Sequence, residues 1–217
     1  MPFNEEYYRD RMYSRREQLI RRHILDVIRW GAKISRCNLL DGNGRSALDV
    51  GCAYGYGVDV LQSLGYNAFG VDISRYAIRR AKKTVLGEFI VCDVQKGLPF
   101  EEDSFDLSLC IGLVEHLHDP LKAIMNVLSC CRGIVLLTTP NRFVEKPIKK
   151  IIGNYDETHI NVRSESEWRR NLSNIGCSSF HIESVLDASL MAGNRLLFFK
   201  SFKAPILGLD LRIIIKK

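Results

Sequence analysis

The 217-residue chain lacks the long apolar run that a membrane-spanning helix requires. A helix needs about 18 consecutive apolar residues to cross a bilayer, and no segment of the sequence reaches that length. The N-terminus, MPFNEEYYRDR, also lacks the apolar stretch of a secretory signal. With 46% hydrophobic and 26% charged residues, the composition is that of a globular protein, and we expect it to act in the cytoplasm.

Closely paired cysteines are also missing, although the chain has seven cysteines. None of them lies in a Cys-x-x-Cys pair, so the spacing indicates neither a disulfide framework nor a zinc site. The sequence therefore predicts free, buried thiols and no metal site. The seven are Cys37, Cys52, Cys92, Cys110, Cys130, Cys131 and Cys177.

The glycine-rich turn after the first predicted strand does not carry the dinucleotide-binding pattern Gly-x-Gly-x-x-Gly. If the pattern begins at Gly51, its other two glycine positions are occupied by Ala53 and Tyr56. If it begins at Gly55, its last glycine position is occupied by Val60. A nicotinamide cofactor is therefore disfavoured. The two glycines still allow the main chain to approach a ligand closely.

Positive charge is concentrated at the two ends of the chain, whose formal net charge is +6. Residues 1–45 carry a net charge of +4 and residues 195–217 carry +5, whereas the middle carries −3. A basic rim of this kind attracts an anionic substrate, a membrane surface or nucleic acid. A solvated, solubilising surface explains the same charges equally well.

Strand-like and helix-like segments alternate from Ser46 onward at the spacing of crossover units, which predicts a parallel sheet with helices on both faces. The predicted strands are 47–50, 68–72, 89–93, 106–110, 134–138, 179–186 and 211–216. The predicted helices are 15–34, 58–64, 75–84, 121–131 and 165–175. The last of these begins with the capping-box pair Ser164 and Glu167.

One apolar segment, residues 195–208, has no unique interpretation. Large apolar residues alternate there with single basic ones, so it is a candidate for peripheral membrane contact or for the entrance used by a lipid-like substrate. A helix that packs on the sheet explains the same composition. We favour packing, because an apolar face is more often core than membrane contact.

Acidic residues end three successive predicted strands, at Asp49, Asp72 and Asp93. The first begins the pattern acid-x-Gly-x-x-x-Gly, which runs to Gly55, and ligands of open parallel sheets bind at these strand ends. This ordered set, together with the later segment Val114–Pro120, resembles the class I S-adenosylmethionine-dependent methyltransferases of the small-molecule branch. The matches run from about residue 47 to residue 141, and residues 156–161 match more weakly.

The resemblance implies a Rossmann-like, doubly wound and mostly parallel sheet of seven strands, the last of them antiparallel. It also implies one methyltransferase domain over residues 1–217, in which a helical cap region (1–45) precedes the catalytic core (46–217). The expected cofactor is S-adenosylmethionine, and the expected product is S-adenosylhomocysteine.

Cofactor-binding roles follow from the resemblance for residues of the glycine turn and of the strand ends. Asp72 would accept hydrogen bonds from the two ribose hydroxyls, because both carboxylate oxygens are acceptors. Asp93 would accept from the adenine amine, and Asp49 would act near the methionine end. Ala53 stands where the family commonly has glycine. The full set is Asp49, Gly51, Cys52, Ala53, Gly55, Asp72, Ile73, Asp93, Val94, Ile111 and Gly112.

Candidate catalytic residues are Glu115, His116 and His159, from the loops that follow the fourth and fifth strands. Methyl transfer depends mainly on orientation, and a general base is needed only when the acceptor holds its proton tightly. A structural role explains any single histidine equally well.

The acceptor is predicted to be a small or lipid-like molecule, methylated on oxygen, nitrogen or carbon. The segment Cys110–Leu113 has neither the Asn/Asp-Pro-Pro-aromatic pattern of nucleic-acid amine methylases nor the Pro-Cys nucleophile of cytosine methylases. A nucleic-acid partner is therefore disfavoured. An RNA methyltransferase and a non-catalytic scaffold protein that binds the cofactor remain the alternatives, and the sequence does not indicate an oligomeric state.

Overall fold

Eight strands form one sheet in the part of the chain that the computed structural model describes, residues 3–11, 13–144, 156–205 and 208–217. The strands are β1 (Ser46–Val50), β2 (Asn67–Asp72), β3 (Glu88–Val91), β4 (Phe105–Ile111), β5 (Cys131–Pro140), β6 (Phe180–Ala192), β7 (Arg195–Lys203) and β8 (Asp210–Lys216). Their spatial order is β3-β2-β1-β4-β5-β8-β6-β7. β1 to β5 are parallel, and β8 is antiparallel to both β5 and β6. The structure confirms the mostly parallel sheet and its antiparallel last strand.

Six α-helices of the described ranges accompany the sheet: α1 (Glu5–Asp10), α2 (Glu17–Ser35), α3 (Tyr56–Ser63), α4 (Arg75–Thr84), α5 (Pro120–Cys130) and α6 (Glu165–Asn174). The capping box predicted at the start of α6 is present, because the Ser164 and Glu167 side chains each accept a backbone N–H from the other residue. No helix in the described ranges is both long and apolar enough to cross a bilayer.

Strand β7 makes the sheet one strand larger than the seven expected. The turn at Gly193 (φ +58°) and Asn194 joins β6 to β7, which pair as an antiparallel hairpin along the edge of the sheet. A helix over residues 195–208 is therefore wrong for 195–203, and residues 206–207 lie outside the described ranges. A Gly-Asn pair between two apolar runs is a hairpin signal, which the high apolar content of the segment obscured.

Alternate residues of β5 face the two halves of the core, as the two-residue period of a strand requires. Leu136 packs on one face against α2, where a methyl group on Gly31 would lie only 2.7 Å from the leucine Cδ2. Val135 and Leu137 pack on the other face, in the cluster that contains Trp168 of α6. Helices on both faces therefore bury the sheet and fix its carboxyl edge.

The seven cysteines are all free in the structure. Four of them, Cys52, Cys110, Cys130 and Cys131, are buried as predicted. The prediction is wrong for Cys37, which follows α2 and is exposed.

Candidate functional site

A cavity of about 750 Å³ lies at the carboxyl ends of the parallel strands. This volume is within the roughly 300–1,000 Å³ range of small-molecule sites. The N-terminal segment, α2 and the β6–β7 hairpin border the side of the cavity away from the strand ends. Ten of the predicted site residues line it: Gly51, Ala53, Asp72, Ile73, Asp93, Val94, Ile111, Gly112, Glu115 and His116.

The turn after β1 places three successive odd-numbered residues in left-handed backbone conformations: Gly51 (φ +76°), Ala53 (φ +46°) and Gly55 (φ +82°). A Cβ on Gly51 would lie 2.9 Å from the Leu113 side chain, and one on Gly55 would lie 2.8 Å from the Phe89 ring. Ala53 adopts a conformation that costs a non-glycine residue about 1–2 kcal/mol. Its N–H donates to Asp72 at 2.9 Å, which helps to hold the turn.

Asp72 ends β2 and connects the glycine turn to the start of α4. Its Oδ2 accepts from Ala53 N, and its Oδ1 accepts from Ser74 N at 2.7 Å. Ser74 itself caps α4 by accepting from Ala77 N. Burial raises the pKa of Asp72, and the two backbone hydrogen bonds partly oppose that rise. Each carboxylate oxygen has a second acceptor site, and the side chain borders the cavity.

Asp93 and its neighbours form the next part of the wall, beyond β3. Its Oδ1 accepts from Gln95 N at 3.1 Å, which begins a short 3-10 turn. Val94 is buried, and Ile73 borders the same cavity from the end of β2. Two apolar side chains thus accompany an acceptor carboxylate, which suits a flat ring that carries an exocyclic amine.

The end of β4 contributes main chain to the cavity. Gly112 has a left-handed backbone (φ +60°), and its N–H donates to the Thr138 carbonyl and hydroxyl at 3.2 and 3.1 Å. These bonds fix the strand end beside β5 and direct the amide toward Thr138. Ile111 and Gly112 both border the cavity.

Three of the predicted cofactor residues, Asp49, Cys52 and Gly55, lie behind this wall and do not line the cavity in the described part of the chain. Asp49 is buried, and its carboxylate packs on Gly57 and accepts from Val58 N at the start of α3. Burial, and then the charge of Asp72, raise the pKa of Asp49 to about 7. This carboxylate, one layer below the cavity surface, is therefore held closer to its neutral form than an exposed aspartate is.

The predicted catalytic residues Glu115, His116 and His159 come together in space, and we call them the histidine cluster. Glu115 and His116 belong to the 3-10 turn after β4, and both line the cavity. The His159 ring contacts the His116 ring edge to face, with 4.8 Å between centroids. His159 does not itself line the cavity among the described residues. Burial, and then the nearby His159, lower the pKa of His116 to about 4, so its imidazole is neutral at pH 7.

The segment Asp156–His159 holds both imidazoles. His116 Nδ1 lies 3.1 Å from the Thr158 carbonyl oxygen and 2.9 Å from the Thr158 hydroxyl. His159 Nε2 lies 3.5 Å from Asp156 Oδ2, and the same carboxylate pairs with Arg11 at 2.9 Å. The loop after β5 and the N-terminal segment therefore meet at the histidine cluster.

A histidine–aspartate pair on the opposite wall of the cavity was not predicted from the sequence. His23 Nδ1 of α2 lies 2.8 Å from Asp187 Oδ2 of β6, and both residues line the cavity. Burial raises the pKa of Asp187. The hydrogen bond and charge of His23 and the charge of Arg212 lower the pKa by a larger amount, so the net shift is downward. The sequence analysis placed His23 only within the predicted helix 15–34.

N-terminal aromatic residues are the other part of the site that the sequence analysis missed. Phe3, Tyr7, Tyr8 and Tyr13 all line the cavity, and Ser74 Oγ donates to the Phe3 carbonyl at 2.6 Å. Four aromatic residues in an otherwise polar segment were the sequence signal that could have identified this part of the site.

Comparison with known proteins identifies the class. A family model described as a methyltransferase domain matches residues 20–181, and the chain belongs to this family. The fold and the family together define a class I S-adenosylmethionine-dependent methyltransferase, whose cofactor is S-adenosylmethionine.

Individual relatives are more distant. The ubiquinone biosynthesis O-methyltransferase of Actinobacillus pleuropneumoniae is 26% identical over 142 residues, which are 60% of this chain and 60% of that protein. An 18S rRNA (guanine-N(7))-methyltransferase of Schizosaccharomyces pombe is 32% identical over 82 residues, 36% of this chain and 31% of that protein. The chain thus spans less than two thirds of the length of these relatives.

A solved structure shows that the likeness extends over the whole fold. The S-adenosylmethionine-dependent methyltransferase from Archaeoglobus fulgidus superposes with a TM-score of 0.68 over 93% of this chain and 94% of that one, at 19% identity.

Proposed function

We propose that the protein transfers the methyl group of S-adenosylmethionine to a small or lipid-like acceptor, with a hydroxyl oxygen favoured over nitrogen or carbon. The observation that carries the proposal is one continuous cavity that connects Asp72 to the titratable side chains Glu115, His116 and His23. The O-methyltransferase relative supports oxygen as the acceptor atom. We also propose that residues 1–217 act as one catalytic domain, with residues 1–45 as its cap.

The strand ends provide groups that fit each part of the cofactor. Asp72 would hold the ribose hydroxyls, and Asp93 with Ile73 and Val94 would hold the adenine. The main chain at Gly51, Ala53, Ile111 and Gly112 would hold the methionine portion, with Asp49, Cys52 and Gly55 supporting the turn from behind. When bound, S-adenosylmethionine supplies a methyl group on a sulfonium, which needs little further activation.

The protein's own contribution is to orient the acceptor and to exclude water. Leu19, Ile20 and Phe199 form an apolar wall, and His23 and Ser189 add polar groups beside it. Neutral His116 is available to accept a proton from a hydroxyl, although its lowered pKa makes it a weak base suited to an acidic acceptor, and Glu115 and His159 lie close to it. An acidic hydroxyl on an apolar body fits this half of the cavity.

An RNA acceptor is the second candidate, favoured by the relative that acts on 18S rRNA and by the basic ends of the chain. Arg11, which lines the cavity, is already engaged by a carboxylate, since it pairs with Asp156 at 2.9 Å. Its charge is partly neutralised, which weakens a phosphate-binding role. We therefore place RNA behind a small molecule.

Calorimetry followed by an acceptor screen tests the proposed function. We expect micromolar binding of S-adenosylmethionine and S-adenosylhomocysteine and no binding of NADH. Radiolabelled methyl transfer is then measured with phenols and catechols with and without alkyl tails, with amines, and with ribosomal RNA. His116→Ala should retain cofactor binding and lower turnover on a hydroxyl acceptor by about 100-fold or more, as loss of a general base does.

Three other outcomes would redirect the proposal. Transfer to RNA alone would replace the small acceptor with a nucleic acid. Cofactor binding without transfer to any acceptor would favour the scaffold alternative. Absence of cofactor binding in a folded protein would contradict the proposed function itself.

We further propose that the β6–β7 hairpin touches an anionic membrane surface. Leu190 and Phe198 are cross-strand partners that are 58% and 48% exposed, and Lys200 is exposed on the same face of the edge strand. Exposed apolar side chains next to a cation fit the interface of an anionic bilayer. Phe199, the neighbour of Phe198, lines the cavity from the opposite face of the strand, so a membrane-dissolved acceptor would have to pass the edge of β7 to reach the cavity.

Vesicle co-sedimentation tests this contact. The protein should sediment with phosphatidylglycerol vesicles but not with phosphatidylcholine vesicles, and about 0.5 M salt should weaken the binding. The double variant Leu190→Ser, Phe198→Ser should lose most of it. Leu86→Ser removes an 89% exposed leucine between α4 and β3, far along the sheet from the hairpin, and is the matched control. Equal binding by both variants would exclude the hairpin as the contact.

A further inference from the structure

Two imidazoles and one carboxylate meet in the histidine cluster at the edge of the cavity. One candidate ligand atom from each of Glu115, His116 and His159 lies within 4.8 Å of the other two. Ligands of a tetrahedral zinc ion at about 2.0–2.1 Å from the metal are about 3.4 Å from one another. Small side-chain rotations would therefore bring the three groups to coordinating distance.

Oxygen atoms of the segment after β5 engage one nitrogen of each imidazole. The Thr158 carbonyl and hydroxyl lie beside His116 Nδ1, and Asp156 Oδ2 lies 3.5 Å from His159 Nε2. Metal-binding histidines generally donate their second N–H to such an oxygen, which fixes the tautomer and the ring orientation. In this arrangement the opposite nitrogen of each ring is the one that would coordinate.

We propose that Glu115, His116 and His159 form a binding site for a divalent first-row transition metal, with zinc as the preferred ion. Two nitrogen donors and one carboxylate suit zinc, cobalt or iron, whereas magnesium and calcium prefer oxygen ligands. Glu115 and His116 also line the cavity, so the site opens toward it. A three-ligand site of this type keeps a coordination position for a further ligand.

The role of that open position rests on the proposed function, with the metal replacing His116 as the group that promotes loss of the acceptor proton, because a metal-bound imidazole nitrogen no longer accepts one. An acceptor hydroxyl oxygen bound there would be closer to its deprotonated form, because the metal charge stabilises the anion. The metal site would then select acceptors that offer a hydroxyl or a catechol, and it would explain why two histidines and a glutamate gather on this wall.

Cobalt titration tests the metal site without knowledge of the acceptor. Untagged full-length protein, stripped with a chelator and reduced, is titrated with Co²⁺ in a Cys37→Ser background, because Cys37 is the exposed thiol among the seven cysteines. We expect visible d–d absorption that saturates at one equivalent and disappears when Zn²⁺ is added. No intense thiolate charge-transfer band should accompany it.

Variants assign the ligands. His159→Ala and Glu115→Gln should each weaken Co²⁺ binding at least 10-fold, whereas His118→Ala, two residues from His116 and outside the cluster, should not. Binding of S-adenosylhomocysteine, measured on the same samples, reports separately on the cofactor site and on folding. Absence of d–d absorption in a protein that binds S-adenosylhomocysteine, or equal Co²⁺ affinity in His159→Ala, would overturn the metal site while leaving the proposed function intact.

Discussion

Asp72→Asn should weaken S-adenosylhomocysteine binding by about 10- to 100-fold, which corresponds to roughly 1–3 kcal/mol for a lost charged hydrogen-bond partner. The amide keeps the size of the side chain but has one acceptor oxygen instead of two. It would have to choose between the backbone N–H groups of Ala53 and Ser74 and the ligand hydroxyls. Isothermal titration calorimetry, with thermal unfolding of the free variant, gives both the affinity and the stability.

A ligand analogue separates the ribose role of Asp72 from its role in the turn. We expect wild-type protein to bind 3′-deoxy-S-adenosylhomocysteine more weakly than the parent compound, and Asp72→Asn to discriminate less between the two. That coupling in a double-mutant cycle would assign the hydroxyl contact to Asp72. If removal of the hydroxyl weakens ligand binding by the same factor in wild type and in the variant, Asp72 supports only the glycine turn.

Arg212→Met should lower the free energy of unfolding by about 3–5 kcal/mol, the cost of breaking a buried ion pair by removal of one partner. The Arg212 side chain is 2% exposed and lies 3.0 Å from carboxylate oxygens of both Asp26 and Asp187. Without the guanidinium, Asp26 of α2 would lose its ion pair, and Asp187 of β6 would keep its contact with His23 but face a second carboxylate. Chemical denaturation at constant pH measures the loss.

Two comparisons make the Arg212 result specific. Arg132→Met breaks a half-exposed pair with Asp106 (2.7 Å) and should cost only about 0–1 kcal/mol. Adding Asp26→Asn and Asp187→Asn to Arg212→Met should recover part of the lost stability, because the uncompensated charges are removed. A small loss for Arg212→Met, similar to that of Arg132→Met, would show that water reaches these carboxylates.

Most of the fold follows from local pattern. The strands β1 to β5 were predicted because strand-like and helix-like segments alternate at the spacing of crossover units, and their predicted ends lie within three residues of those in the structure, as for 134–138 against Cys131–Pro140. The edge strand β7 was not predicted, because its composition fits a helix, a membrane contact or a strand. Pairing with β6 decides between the helix and the strand, and pairing is a tertiary property.

The candidate site was predictable where topology brings residues together. Asp72, Asp93 and His116 follow parallel strands of one sheet, whose carboxyl ends share an edge, and all three line the cavity. Contacts such as His23 with Asp187 join residues 164 positions apart and depend on how α2 packs on the hairpin. No local pattern reports such a pair. The roles given to the site residues stay predictions until the variants are measured.

The position of β8 determines the order in which the sheet is completed during synthesis. Because β8 lies between β5 and β6, the β6–β7 hairpin cannot join β5 until residues 210–216 have emerged from the ribosome. The nascent chain therefore exposes the β6–β7 hairpin until β8 is available, which is a state prone to aggregation. The part of the sheet formed by β1 to β5 can therefore fold before the cavity wall that contains Phe199 of β7 is complete. A chaperone that binds extended apolar segments would act in that interval.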